Sequence, residues 1–191
     1  NNVAVGHEAL SANVVGDYNI GIGYRALFAA TPSDGTGSNV VIGHNAAAAL
    51  STGTANTIIG HTAGKTGDIT GVHNVLLGYS SGDDLTSGQY NVFIGSNSGL
   101  QNTVGQRNIV AGYNALKTNV DGDSNIAIGY LALQDFEPGD GEGKNIAIGD
   151  SAGLQVSTGL ENTFIGHECG SSKTNALTGN GNVALGKGAG Y

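Results

Sequence analysis

The sequence predicts an all-β fold, a parallel β-solenoid (β-roll) of about eleven coils, and three observations predict it. The first is a repeat of the form Asn-x-x-x-Gly. Its Asn stands at 2, 19, 39, 56, 74, 91, 108, 125, 145, 162 and 182, at intervals of 17 to 20 residues. A unit this short cannot bury a core alone, so the copies must stack. The second is the make-up of the three residues between Asn and Gly, which favours a pleated strand. The third is composition: 34 Gly, two Pro, no Met or Trp and 12% charged residues suit a chain in which tight corners replace helices. Residues 1–191 read as one repeat domain, and eleven coils at ~4.8 Å give a rod of roughly 50 Å.

Each position of the repeat has its own chemistry. The Asn heading every copy is an internal ladder, each amide bonding the copies above and below. The first strand position is almost wholly β-branched (Val3, Ile20, Val40, Thr57) and the third aliphatic (Val5, Ile22, Ile42, Ile59), and the two share a face. The closing Gly, from Gly6 to Gly186, marks a corner that needs positive φ or a very close backbone approach. Three residues further on, Ala, Ser or Cys fills every copy, from Ala9 to Ala189. A second short strand packed on the first requires such small side chains. A Gly three residues before the Asn recurs in eight of ten junctions and marks the second corner. Junction aliphatics Leu50, Ile69, Leu85, Val120, Val156 and Leu177 are expected to tuck against the roll. The longer junctions Thr31 to Ser38 and Gln134 to Lys144 carry Pro and acids and are expected to project.

The second strand position sets the expected assembly. A strand with one wet face would be polar there, yet Val41, Ile58, Leu76, Phe93, Val110 and Phe164 are apolar. These six are expected to form a subunit interface along the rod, in a parallel homo-oligomer.

The pattern Asn-x-Ala-Ile-Gly-x-x-Ala at Asn125 to Ala132 and Asn145 to Ala152 resembles the head repeats of trimeric autotransporter adhesins and the similar arrays of phage tail fibres. The resemblance runs through all eleven repeats. It implies a parallel homotrimer of left-handed β-rolls, extracellular, on a cell surface or a virion. Adhesin-head repeats are shorter than 17 residues, so the junctions here are longer.

A formal charge of −8 with seven scattered Lys and Arg disfavours nucleic acid. No apolar run approaches the ~18 residues of a membrane span. The chain starts inside its first repeat without Met, which reads as a processed chain or a piece of a longer one, and its uncapped end coils are expected to abut further β-structure.

Chemistry-bearing motifs dissolve into the repeat. Gly78-Tyr79-Ser80-Ser81-Gly82 matches a nucleophile elbow, but the same positions read Gly-His-Thr-Ala-Gly at 60 to 64. Gly21 to Ala26 matches a dinucleotide fingerprint without the helix that would hold the pyrophosphate. Cys169 occupies the small-residue position and reads as buried. Val5 to Leu10 and its copies resemble the hexapeptide of left-handed β-helix acyltransferases, which need three hexapeptides per coil where this chain offers one.

The residue after the corner Gly is His or Tyr in eight of eleven repeats: His7, Tyr24, His44, His61, Tyr79, Tyr113, Tyr130 and His167. The plain reading is rung-to-rung stacking; the functional one is a column that contacts a host-surface glycan or protein. A metal between His44 and His61 lacks a third ligand. Asp135, Glu137, Asp140 and Glu142 are the only set that suggests Ca²⁺, and no calcium-loop motif supports it. Sequence therefore points to a non-enzymatic structural or recognition segment of an extracellular trimeric fibre or adhesin that needs no cofactor. Alternatives are a filament subunit polymerising end to end and, more remotely, the acyltransferase.

Overall fold

The computed structural model of the chain describes residues 1–31, 37–139, 141–171 and 176–190. Eleven three-residue strands carry the repeat: β1 (Val3–Val5), β2 (Ile20–Ile22), β3 (Val40–Ile42), β4 (Thr57–Ile59), β5 (Val75–Leu77), β6 (Val92–Ile94), β7 (Ile109–Ala111), β8 (Ile126–Ile128), β9 (Ile146–Ile148), β10 (Thr163–Ile165) and β11 (Val183–Leu185). They pair in chain order into one parallel sheet, and every residue faces its own counterpart in the next repeat, as Leu76 faces Phe93. Among the described residues there is no helix. The fold is a parallel β-solenoid.

The Asn side chains set that register. At all ten steps the Oδ1 of one Asn accepts the backbone N–H of the next, at 2.8–3.1 Å. In eight coils the Nδ2 donates to the carbonyl of that coil's junction glycine, for example Asn108 to Gly122 at 2.9 Å. One buried side chain thus binds the rung above it and spans its own coil. Losing such partners leaves polar groups unpaired in the interior, at about 1–3 kcal/mol each.

The corner after the strand requires glycine on both grounds. Its φ is +112° to +149° in every copy, a region closed to residues with a Cβ. A Cβ there would also meet the carbonyl of the corner glycine one rung on, as at Gly95 against Gly112 O (2.6 Å).

The return side is not the second strand that small residues suggested. φ is positive at every second residue, as at Arg25 (+52°) and Leu27 (+52°) or Asn114 (+51°) and Leu116 (+47°). The alternation turns successive peptide groups toward opposite neighbours: Asn114 N donates to Ser96 O on the rung before, and Leu116 N to Ala132 O on the rung after. Backbone hydrogen bonds therefore run along the rod without a pleat, and the small position lies fully buried from Ala26 to Cys169.

The interior overturns the expected interface. Val41, Ile58, Leu76, Phe93 and Val110 are wholly buried and Phe164 is 5% exposed, all inside their own coil. Strand parity explains it: residues two apart share a face, so the second strand position points the same way as the internal Asn. What fills the coil opposite it is the fourth residue after the corner glycine. That residue is Gly where the strand residue is large, and the Cβ that Gly99 lacks would sit 2.6 Å from Phe93 Cε2, while Gly82 and Gly170 face Leu76 and Phe164 in the same way and Gly64 lies against Ile69 and Leu76. It is buried Leu at Leu27 opposite Gly21 and Leu133 opposite Ala127, whereas Ala147 has Gly153.

Of the junction aliphatics, Leu50, Ile69, Leu85 and Val156 are fully buried and Leu177 packs partly buried against the core. Val120 is exposed because its neighbour Asn119 takes the inward place and donates to Gly122 O. In the junction expected to project, Phe136 is instead wholly buried, and Glu137 N bonds Ser157 O.

The volume exchange is testable. Phe93→Ala is expected to cost about 3–5 kcal/mol in denaturant unfolding, and adding Gly99→Leu, a residue that Leu116 and Leu133 already place at the same backbone geometry, is expected to restore part of it. A double variant no more stable than Phe93→Ala would show that the two positions do not share one space.

Candidate functional site

The same parity that turns the second position inward turns four positions outward on one face. They are the residue before the Asn, the first and third strand residues, and the residue after the corner glycine. Along β5, for instance, His73 is exposed, Asn74 buried, Val75 half-buried, Leu76 buried, Leu77 exposed and Tyr79 exposed. Down the rod this makes two central apolar columns with a polar or aromatic column on each side.

The central columns are solvent-exposed in the single chain. Leu77 (43%), Ile94 (41%), Ile109 (46%) and Ile128 (38%) are all open, and Ile148 and Ile165 continue the line. Three strand residues at ~3.4 Å across eleven rungs give a continuous apolar strip of about 500 Å². That is at the upper end of what a soluble monomer leaves uncovered, about 300–600 Å². β-branched and aliphatic side chains so placed satisfy the strand but not the solvent.

The column after the corner glycine is where the sequence put a contact surface. His7, Tyr24, His44, His61 and Tyr79 form an unbroken stack with ring centroids 4.9–5.5 Å apart and interplanar angles of 6–17°. Ser96 interrupts it, and Tyr113 and Tyr130 stack again at 5.5 Å. His167 stands beyond Asp150 and approaches Glu168 at 3.9 Å. Stacking occupies the ring faces, so the column offers solvent its edges. The nearly parallel rings of His44 and His61 also aim their in-plane lone pairs side by side, which does not suit convergence on one metal ion.

The other flanking column escaped sequence reading. The residue before each Asn has φ between +52° and +67° in all ten junctions, although it includes Tyr18, His73, Tyr90, Arg107, Lys144 and Glu161. His73 and Tyr90 stack at 5.4 Å, and Lys144 lies 3.8 Å from Glu161. No residue type marks this position; only the requirement to turn into the Asn ladder does.

The remaining candidates do not converge. Ser80 is largely buried at φ +48° and its Oγ pairs with Thr62 Oγ1 at 2.9 Å; the imidazole beside it, His61, contacts Thr62 and not Ser80. Cys169 is buried with Sγ 3.1 Å from Ala184 O. Asp140 lies outside the described residues. Of its companions, Glu137 Oε2 accepts Val120 N–H at 2.6 Å, Asp135 accepts from Gln134 and Glu142 pairs with Lys144 at 2.6 Å. Among the described residues no three His, Cys, Asp or Glu gather as a metal would need. The hollow of about 310 Å³ lined by Phe164, Leu177, Val183 and Ala184 is the interior left open beyond the last rung.

Burial perturbs two carboxyls. Partial burial raises Asp83 above the ordinary aspartate range against the opposing Lys65 backbone N–H, and burial raises Glu137 against the Val120 N–H. Compared with protein-family models, curated proteins and solved structures, the chain gives no match.

An acid whose folded pKa lies above its unfolded value binds its proton more tightly when folded, so the stability it lends is lost as pH rises through that pKa. Asp83→Asn with Glu137→Gln is therefore expected to gain stability relative to the native chain as pH is raised through the carboxylate range, measured by urea unfolding. A difference that is flat, or that falls with pH, would contradict the burial of these groups.

Proposed function

We propose that the chain is a non-enzymatic rod segment of a homotrimeric fibre or adhesin displayed outside a cell or on a virion, and that it assembles through its outward apolar face. One observation carries this reading: the strip of exposed Ile, Leu and Val along the strands, with nothing among the described residues to cover it. Burying apolar surface stabilises by about 25 cal/mol per Å², so two such strips in contact gain far more than any scattered surface pair. With its flanking columns the face is roughly 20 Å wide and 50 Å long, about 1,000 Å² per chain, against the ~800 Å² per partner of a stable interface.

The resemblance to adhesin heads and tail-fibre arrays supports three chains and an extracellular setting. The surroundings of Ser80 and Cys169 offer no nucleophile with a positioned base, which supports a role in display and spacing. Recognition then belongs to surfaces that remain outside the assembled face, the junctions first among them.

Ile94→Asp with Ile128→Asp tests the face without disturbing the coil, because both side chains point to solvent in the single chain. The double variant is expected to fold, with an unchanged far-ultraviolet spectrum, and to scatter light as a 19.0 kDa monomer where the native chain is oligomeric. A native-size oligomer from a variant carrying both charges would overturn the assignment.

A further inference from the structure

The post-glycine column has a gap in it. Five rings stack without a break from His7 to Tyr79, and Tyr113 and Tyr130 stack again beyond. The rung of β6 between these two runs carries Ser96, the smallest side chain of the column. His61 covers one face of Tyr79, and Tyr130 covers one face of Tyr113. Their other faces meet no ring among the described residues and look toward each other across the β6 rung. Both tyrosines are about half exposed, at 56% and 47%.

The base of the gap is polar. Ser96 is half-buried, and its Oγ makes no hydrogen bond among the described residues. One residue along, Asn97 Nδ2 donates to Asn114 Oδ1 at 3.0 Å, which leaves Asn97 Oδ1 and Asn114 Nδ2 as an acceptor and a donor on adjacent rungs. These amides stand one residue beyond the four columns of the outward face, so the gap lies at the margin of that face.

Size selects the occupant. Two rungs separate Tyr79 from Tyr113, about 10 Å. A flat ring touches two aromatic faces at once only if they stand ~7–8 Å apart, because carbon contacts are best at ~3.5–4.0 Å. A saturated six-membered sugar ring is thicker: axial C–H groups stand out on both its sides, and their slight positive charge suits the negative face of a tyrosine. Its hydroxyls lie around the rim, where a serine hydroxyl and two amides can bond them. The other break in the column, at Asp150, lacks these features: Asp150 Oδ1 accepts from Ser151, and His167 beyond it approaches Glu168.

We infer that the gap between Tyr79 and Tyr113 binds one pyranose unit of a surface glycan, held between the two tyrosine faces over Ser96, with Asn97 and Asn114 bonding its hydroxyls. The inference deepens the recognition role proposed above and rests on that reading for its setting; a single chain supplies every contact. Stacking on His61 and Tyr130 holds both tyrosines in place before the sugar arrives, so little side-chain freedom is lost on binding. A site this small binds a single sugar at about millimolar strength, and several copies on one fibre strengthen attachment to a repeating glycan.

Saturation-transfer NMR on the full chain, with the methyl glycosides of glucose, galactose, mannose and N-acetylglucosamine as probes, tests the site. At least one is expected to receive saturation, most strongly at its ring C–H protons. Ser96→Tyr completes the stack with a residue that neighbouring rungs already carry and is expected to abolish the signal. Tyr113→Leu is expected to weaken binding about tenfold, and both variants should keep the native far-ultraviolet spectrum. Saturation of none of the four sugars, or an equal signal from Ser96→Tyr, would overturn the inference. Benzamidine, a flat aromatic cation, would overturn it too if it bound where Ser96→Tyr blocks and no sugar did. Light scattering on the same samples reports assembly separately. A monomer that binds sugar leaves this site standing without the apolar-face reading, and an oligomer that binds none does the reverse.

Discussion

The contact on which the structure depends is the hydrogen bond from the backbone N–H of one repeat Asn to the Oδ1 of the Asn before it. It is made at every one of the ten steps, and it fixes rung on rung without any shift in register. A parallel strand of only three residues could slide, and a slip of one residue would turn every side chain to the wrong face. The Asn prevents this because its Nδ2 is committed to the far side of the same coil, so a slipped rung would leave a buried amide and a buried N–H unpaired together. Repeated through the rod, modest individual bonds of about 0.5–1.5 kcal/mol net become a single cooperative lattice.

From that fixed register the two faces follow. Inward, the coil is so thin that the residue opposite the strand is Gly at Leu76, Phe93 and Phe164. Outward, the same alternation lines up aliphatic side chains that nothing among the described residues covers. The corner glycines complete the scheme: their positive φ and the neighbouring carbonyl leave no room for a Cβ, and the turn they permit places the aromatic column beside the apolar strip. Among the described residues no three His, Cys, Asp or Glu gather in one place.

Most of the scaffold was legible in the sequence because spacing alone carries it. The Asn ladder, both glycine corners, the burial of Cys169 and most junction aliphatics stand where the repeat puts them. The six residues Val41, Ile58, Leu76, Phe93, Val110 and Phe164 were legible too, had parity been followed: an Asn that points inward takes the residue two places on with it. The glycines opposite Leu76, Phe93 and Phe164, namely Gly82, Gly99 and Gly170, are also visible in the letters. Two features were hidden for physical reasons. The alternating backbone of the return side uses Arg, Asn, Leu and Ser at positive φ, where no residue preference announces it. Phe136 sits in a junction whose Asp, Glu and Pro disguised a core residue. The outward face was only half legible: the His/Tyr column stood out by type, whereas the column before the Asn is chemically mixed and becomes a column only once the coil is closed.

The central claim is that the outward apolar face is covered by further copies of this chain. Sedimentation equilibrium of the unmodified chain over a wide concentration range measures it most directly. The account predicts one species at three times 19.0 kDa, persisting on dilution because the whole face is buried at once. A stable 19.0 kDa species at all concentrations, with Ile94, Ile109 and Ile128 still open to solvent, would contradict it.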